Sequence, residues 1–168
     1  MTHRPSWDSY FMNICEVVKT RSPDRTKVGA VLVSMKDNRI ISTGYNSVCS
    51  GLEDHLIDWT DRDTIRDIVI HAETNAILYS QSRFEDAVLY CTLSPCKDCI
   101  KLLSATKIRM IIYKNEYKDF HIVQKLCEFF NIRLQKYEEN DLLPLPLPLT
   151  PVSNNIDSHF QDETQYHH

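Results

Sequence analysis

Apolar positions along the chain change period several times, and each change marks an element. From Trp7 to Lys19, the residues Tyr10, Phe11, Ile14, Val17 and Val18 recur at helical spacing behind Ser6, a natural N-cap, which predicts an amphipathic helix. Residues 28–33 (Val-Gly-Ala-Val-Leu-Val) and 39–45 (Arg-Ile-Ile-Ser-Thr-Gly-Tyr) are β-rich runs joined around Lys36-Asp37-Asn38, the pattern of an antiparallel hairpin. Residues 46–67 are polar and weakly periodic. They read as a long loop with room for short helical turns, of the kind that often carries binding residues. Ala72, Ala76, Ile77 and Tyr79 predict a helix from His71 to Ser82. A strand at 87–93, a helix at 97–105, a strand at 107–113, a helix at 120–131 and a short strand at 132–137 follow.

From residue 87 onward strands and helices alternate, and right-handed crossovers would make that part of the sheet parallel. The direction of the last strand stays open. After Asp141 the composition changes abruptly. The alternating prolines of Leu142-Leu143-Pro144-Leu145-Pro146-Leu147-Pro148 forbid helix and favour an extended, polyproline-like segment. One domain over residues 1–141 is therefore expected, followed by a proline-rich extended segment and polar tail over 142–168. The leucines of that run could form a docking strip, but an extended linker is the simpler reading.

A length of 168 residues, 42% hydrophobic and 25% charged, is that of one globular domain with its own core. No apolar run approaches the length of a membrane span, and Met1-Thr2-His3-Arg4-Pro5-Ser6-Trp7 does not read as a secretory signal, so a cytoplasmic setting is expected. A formal net charge of −4 and a pI near 5.9 argue against a nucleic-acid partner, whereas a small anion needs only a local basic pocket. Cys15, Cys49, Cys91 and Cys127 are scattered, but Cys96 and Cys99 form a close pair. In a reducing compartment such a pair suits a metal or redox chemistry better than a structural disulfide.

His71-Ala72-Glu73 and Pro95-Cys96-Lys97-Asp98-Cys99 each stand where a helix begins. The positive end of a helix dipole favours thiolates there. His71, Cys96 and Cys99 offer Zn2+ three ligands and leave a fourth place for water, the arrangement of a catalytic rather than a structural site. Zinc brings the pKa of such a water toward neutrality. Glu73, two residues beyond His71, can face the same place without binding the metal and can move protons. Either half alone is weak evidence: Cys-x-x-Cys also occurs in redox and structural zinc sites, and a helix-start Glu is often a dipole partner. The two halves in this order, with Pro95 before the first cysteine, resemble the signature of zinc deaminases that act on nucleobases. Cys49 and His55 could bind a second zinc, but without partners they read as incidental.

The flanking segments Trp7-Asp8-Ser9-Tyr10-Phe11-Met12, Lys27-Val28-Gly29-Ala30-Val31, Gly44-Tyr45-Asn46, His71-Ala72-Glu73-Thr74-Asn75-Ala76-Ile77 and Tyr90-Cys91-Thr92-Leu93-Ser94-Pro95-Cys96-Lys97-Asp98-Cys99 narrow the pattern. Over residues 6–137 the chain resembles the deoxycytidylate (dCMP) deaminase family. That resemblance implies a three-layer α/β/α sandwich with a five-stranded mixed sheet, one catalytic Zn2+ per subunit, and a homo-oligomer, usually a hexamer. The implied reaction is hydrolytic deamination of dCMP to dUMP and ammonia, feeding thymidylate synthesis. It further implies that Asn46 binds sugar or base, that the backbone around Ala72 and Ser94 meets the pyrimidine edge, and that Arg25 binds phosphate. Tyr117-Lys118 would close over the nucleotide, with Lys118 where some members have Arg. The resemblance extends to regulation by dCTP and dTTP with Mg2+, but in the loop that binds them many regulated members have Gly where this chain has Ser47, a departure that alters the loop's backbone or the close approach of a ligand. The residues also leave open dCTP or 5-substituted dCMP as substrate, a base within RNA or single-stranded DNA, and a non-catalytic zinc-stabilised interaction module.

Overall fold

The structure is a computed structural model, and residues 4–80 and 85–138 are described. Five strands form one sheet: β1 (Gly29–Ser34), β2 (Ile40–Tyr45), β3 (Ala87–Leu93), β4 (Ile108–Asn115) and β5 (Arg133–Lys136). Among the described residues five α-helices accompany them: α1 (Trp7–Val18), α2 (Arg62–Ile68), α3 (Ala72–Leu78), α4 (Lys97–Ser104) and α5 (Phe120–Phe129). The strand order is β2-β1-β3-β4-β5, with β1 antiparallel to both neighbours and β3, β4 and β5 mutually parallel. The last strand thus runs parallel, the direction that the pattern alone left open. The sheet is mixed, as expected.

Period-two alternation divides each inner strand between two cores. On one face Val31, Val33, Val88, Tyr90 and Ile112 pack beneath Phe11, Met12 and Cys15 of α1. On the other, Ala30, Leu32, Leu89, Cys91 and Ile111 meet Ala72 and Ala76 of α3, Ile100 and Leu103 of α4, and Val123 and Cys127 of α5. Successive right-handed crossovers from β3 to β4 to β5 put α4 and α5 on the same face. Every residue of β3 from Ala87 to Thr92 is buried, which explains its unbroken apolar reading.

Ser6 caps α1, accepting from the Ser9 amide. The hairpin turns where expected, with Asn38 in the left-handed region (φ 55°). Residues 46–67 carry more order than a loop: a 3-10 turn at Asp54–Leu56, then α2, capped by Asp61 and anchored by buried Ile65. The helix expected from His71 to Ser82 stops at Leu78; the Ser80 amide and hydroxyl both turn back to the carbonyl of Ile77, and residues 81–82 lie outside the described residues. The proline-rich run and tail, 142–168, lie outside them too. Among the described residues no helix is long and apolar enough to cross a membrane.

Candidate active site

Four chain segments meet at one end of the sheet: the carboxyl ends of β2, β3 and β4, and the entry to β1. In open α/β sheets this is the end where ligands bind, because the connecting loops are free to diverge there. His71 is the N-cap residue of α3 and Cys96 the N-cap residue of α4. Two helices therefore start at this end, each immediately after a donor side chain.

The donor atoms of His71, Cys96 and Cys99 lie within 4.8 Å of one another. His71 Nδ1 is 3.3 Å from Cys99 Sγ and 3.5 Å from Cys96 Sγ. The hydrogen bond from Cys99, supported by His71, pushes the Cys96 thiol down to about 4, while Cys99, facing that sulfur and buried, is pushed up. Two thiols this close cannot both ionise without a compensating cation. A divalent ion among the three donors removes the conflict, and one imidazole with two thiolates suits zinc. All six cysteines are free, so no disulfide competes for the pair.

Glu73, in the first turn of α3, is buried and lines a cavity of about 180 Å³ beside these donors. Its Oε2 lies 3.7 Å from Cys99 Sγ. Burial raises its pKa above the ordinary glutamate value, the direction a group needs if it is both to accept and to return a proton. The close seat of α3 depends on Gly44: a Cβ there would stand 2.2 Å from the Ala72 carbonyl oxygen and 2.4 Å from the Ala76 amide nitrogen. Asn75 secures the same contact from the helix side, donating to the Tyr45 carbonyl at 2.8 Å.

The family model for the cytidine and deoxycytidylate deaminase zinc-binding region matches residues 5–115. The chain belongs to this family. Among its members, the deoxycytidylate deaminase of Mycobacterium phage D29 is 38% identical over 128 residues, covering 67% of this chain and 98% of the phage protein. A probable deoxycytidylate deaminase of Caenorhabditis elegans is 35% identical over 108 residues, 61% of this chain and 54% of the worm protein. This chain thus spans about half the length of the worm relative. Among solved structures, the dCMP deaminase of cyanophage S-TIM5 in complex with dCMP and dUMP matches with a TM-score of 0.64 and 26% identity, over 80% of this chain and 99% of that one.

Most of the residues singled out from the sequence as deaminase site residues come together. Asn46, Ala72, Ser94, Tyr117 and Lys118 line the same cavity as His71, Glu73 and Cys96, and Cys99 is buried within the donor cluster. Asn46 ties the loop to β1: Oδ1 accepts from the Val28 amide at 2.7 Å, and Nδ2 donates to the Thr26 carbonyl at 2.8 Å. Ser94 Oγ accepts from the Tyr117 amide at 2.8 Å, holding the Tyr117-Lys118 segment to the end of β3. Arg25 is not brought in. It is exposed and does not line the cavity, although its neighbours Asp24 and Thr26 do.

Sequence reasoning missed Asp24, Arg62 and Arg66. Asp24 is buried; Oδ1 accepts from the Thr26 amide and from Arg62 Nη1, at 3.0 and 2.7 Å. Arg62 and Arg66 line the cavity from α2. The signal was present: Asp61 followed by apolar Ile65 and Val69 is a short capped helical pattern, and it places the two arginines on one side.

Proposed function

We propose that this protein catalyses zinc-dependent hydrolytic deamination of dCMP to dUMP and ammonia. The observation that carries the reading is the meeting, at one end of the sheet, of a His-Cys-Cys donor set with a buried glutamate that faces the same cavity. Family membership and the names of the relatives support the nucleotide as substrate.

His71, Cys96 and Cys99 would hold the zinc ion, which when bound would supply Lewis acidity that lowers the pKa of water toward neutrality. The chain's own residues do the rest. Glu73 takes one proton from the attacking water and passes it to the ring nitrogen, then takes the second from the hydroxyl so added and passes it to the departing amine, so that water and dCMP leave as ammonia and dUMP. Its burial keeps the carboxyl away from bulk water, which would otherwise exchange the proton. Backbone groups at Ala72 and Ser94 meet the pyrimidine edge, and a remaining lone pair on Asn46 Oδ1 serves the sugar. Tyr117 and Lys118 form the outer wall.

Further parts of the reading concern regulation and assembly. A second cavity of about 640 Å³, lined by Tyr45, Ser47, Cys49, Asp54 and Asn75, adjoins the back of α3 and is the candidate seat for dCTP or dTTP with Mg2+. Exposed Trp7, Tyr10 and Val17 on the outer side of α1 support a homo-oligomer, a hexamer by family resemblance. Free thiols throughout the chain support a reducing, cytoplasmic setting.

Purified protein incubated with dCMP, dCTP, cytidine and cytosine, with and without dTTP, tests the reading through ammonia release. Release from dCMP in preference to the others is expected. Turnover of cytidine or cytosine alone would remove the nucleotide from the proposal, and rates indifferent to dTTP would remove that regulator.

A further inference from the structure

Two buried carboxylates line the catalytic cavity, and moving the protons requires only Glu73. The other is Asp24, in the segment between α1 and β1. Its oxygens are taken up by donors of the chain itself: Oδ1 accepts from the Thr26 amide and from Arg62 Nη1, and Oδ2 accepts from Asn46 Nδ2 at 3.3 Å. The Asp24 amide donates to Ser22 Oγ, which in turn donates to the Asn46 carbonyl at 2.7 Å. A carboxylate buried and bound in this way is a fixed point in the structure.

Both side chains that Asp24 holds face the cavity. Asn46 has the two hydrogens of Nδ2 engaged, one by Asp24 and the other by the Thr26 carbonyl at 2.8 Å, while Oδ1 accepts from the Val28 amide. The amide therefore sits only one way round, and the hydrogen-bonding capacity it has left is a lone pair on Oδ1. Arg62 belongs to α2, a seven-residue helix whose one buried side chain is Ile65. So short a helix has little cohesion of its own. The 2.7 Å bond from Arg62 ties it to the body of the domain, and removing that bond would leave a buried carboxylate without its cation. One side chain thus sets two parts of the wall that lie far apart in the sequence.

We propose that Asp24 is a positioning residue for the reaction: it presents Asn46 to the nucleotide as a hydrogen-bond acceptor and seats α2 in the cavity wall, without touching the reacting atoms. The inference rests on the reading of the cavity as a cytosine-nucleotide site and deepens it by naming the residue that arranges its binding groups.

Asp24→Asn is the sharpest variant, because it keeps the shape and reverses one partner. With its oxygen toward Thr26 and Arg62, its new amino group meets the amino group of Asn46. Steady-state kinetics with dCMP, calorimetric titration with dUMP, zinc content, and NMR exchange rates of the Asn46 side-chain hydrogens are compared with the wild type. KM for dCMP should rise about tenfold with kcat within about threefold, since Asn46 serves ground state and transition state alike. Affinity for dUMP should fall in parallel, and the Asn46 hydrogens should exchange about tenfold faster at unchanged zinc content. Arg62→Gln should also raise KM, and Arg62→Lys, which keeps a cation beside Asp24, should recover part of that loss. In Asp24→Asn/Arg62→Gln the losses should fall short of the product of the two, because both act on one carboxylate.

An Asp24→Asn protein that is less stable yet binds dUMP and turns over dCMP as the wild type does would make Asp24 merely structural and overturn the proposal. So would a loss confined to kcat, or one that follows zinc content. If Asp24→Asn does not fold, Arg62→Gln decides alone, and a wild-type KM there is the overturning result. A wild type inert toward dCMP would instead sink the underlying reading of the reaction, and the positioning role with it.

Discussion

The two faces of the sheet carry helices seated in different ways. α1 rests on large side chains: Phe11 and Met12 lie over Val31, Val88 and Tyr90, and a glycine-dependent backbone approach comes at its C-terminal end, where Gly29 meets the Cys15 carbonyl. Hydroxyl groups fasten it, with Tyr90 donating to Asp8 at 2.7 Å and Ser9 bonded to Tyr137 at 3.1 Å. α3, on the opposite face, rests on Ala72 and Ala76 with Gly44 beneath, so its backbone lies almost on the strand. Large residues provide most of the cohesion of the first face, where close approach is confined to the end of α1. Small residues fix the height of a helix tightly, and the face that uses them carries His71 and Glu73.

The sharpest way to break this contrast is Glu73→Gln, which keeps the shape of the α3 face and removes its proton carrier. Turnover should fall by about 10²- to 10⁴-fold while metal content and melting temperature stay near wild type. Metal analysis beside the ammonia assay checks it, and retained turnover would take Glu73 out of the mechanism. Gly44→Ala attacks the seat itself. The added methyl meets α3 backbone rather than a movable side chain, so denaturant unfolding should show a loss of about 2–3 kcal/mol. Turnover per folded molecule should also drop, because the clash falls on Ala72, next to Glu73; unchanged activity at reduced stability would mean that the site tolerates a displaced α3.

The smallest effect belongs to the α1 face. Burial alone would raise the Glu16 carboxyl, but hydrogen bonds from Lys19 and Lys114 hold it below the ordinary glutamate value. A carboxyl held low stabilises the fold above the ordinary carboxylate range, and that stability is lost as pH falls through its folded value. Glu16→Gln should therefore cost about 0.5–1 kcal/mol near pH 7, with the two proteins converging in acid. Thermal unfolding across pH measures this. A gap that widened in acid would contradict the sign, and any change in turnover would mean that the two faces are coupled.

How far these features could be read from the sequence depended on how local they are. The strands were legible from period and β-branched content, and β3 from an apolar run that only a strand buried on both faces requires. His71, Glu73, Cys96 and Cys99 were legible because they sit in two short motifs whose spacing follows from helix starts. The sheet order was not, since periodicity reports which face is buried and not which neighbour pairs. The early end of α3 turns on one serine hydroxyl. Arg62 and Asp24 lie 38 residues apart, so nothing local in either segment announced their pairing. Arg25 read as the phosphate ligand by resemblance; it stands between two residues that line the cavity, Asp24 and Thr26, without lining it itself, and motif matching does not see the direction of a side chain.

The burial of β3 also sets a hierarchy of opening. A central strand covered on both faces should exchange its amide hydrogens only through global unfolding, and it is β3 that delivers Ser94 and Cys96 to the site. α2, with seven residues and Ile65 as its one buried side chain, sits at the other extreme, where local fluctuation is cheap. α2, held by Ile65 and by the pairing of Arg62 with Asp24, should therefore open and re-form more often than the ligand-bearing end of β3.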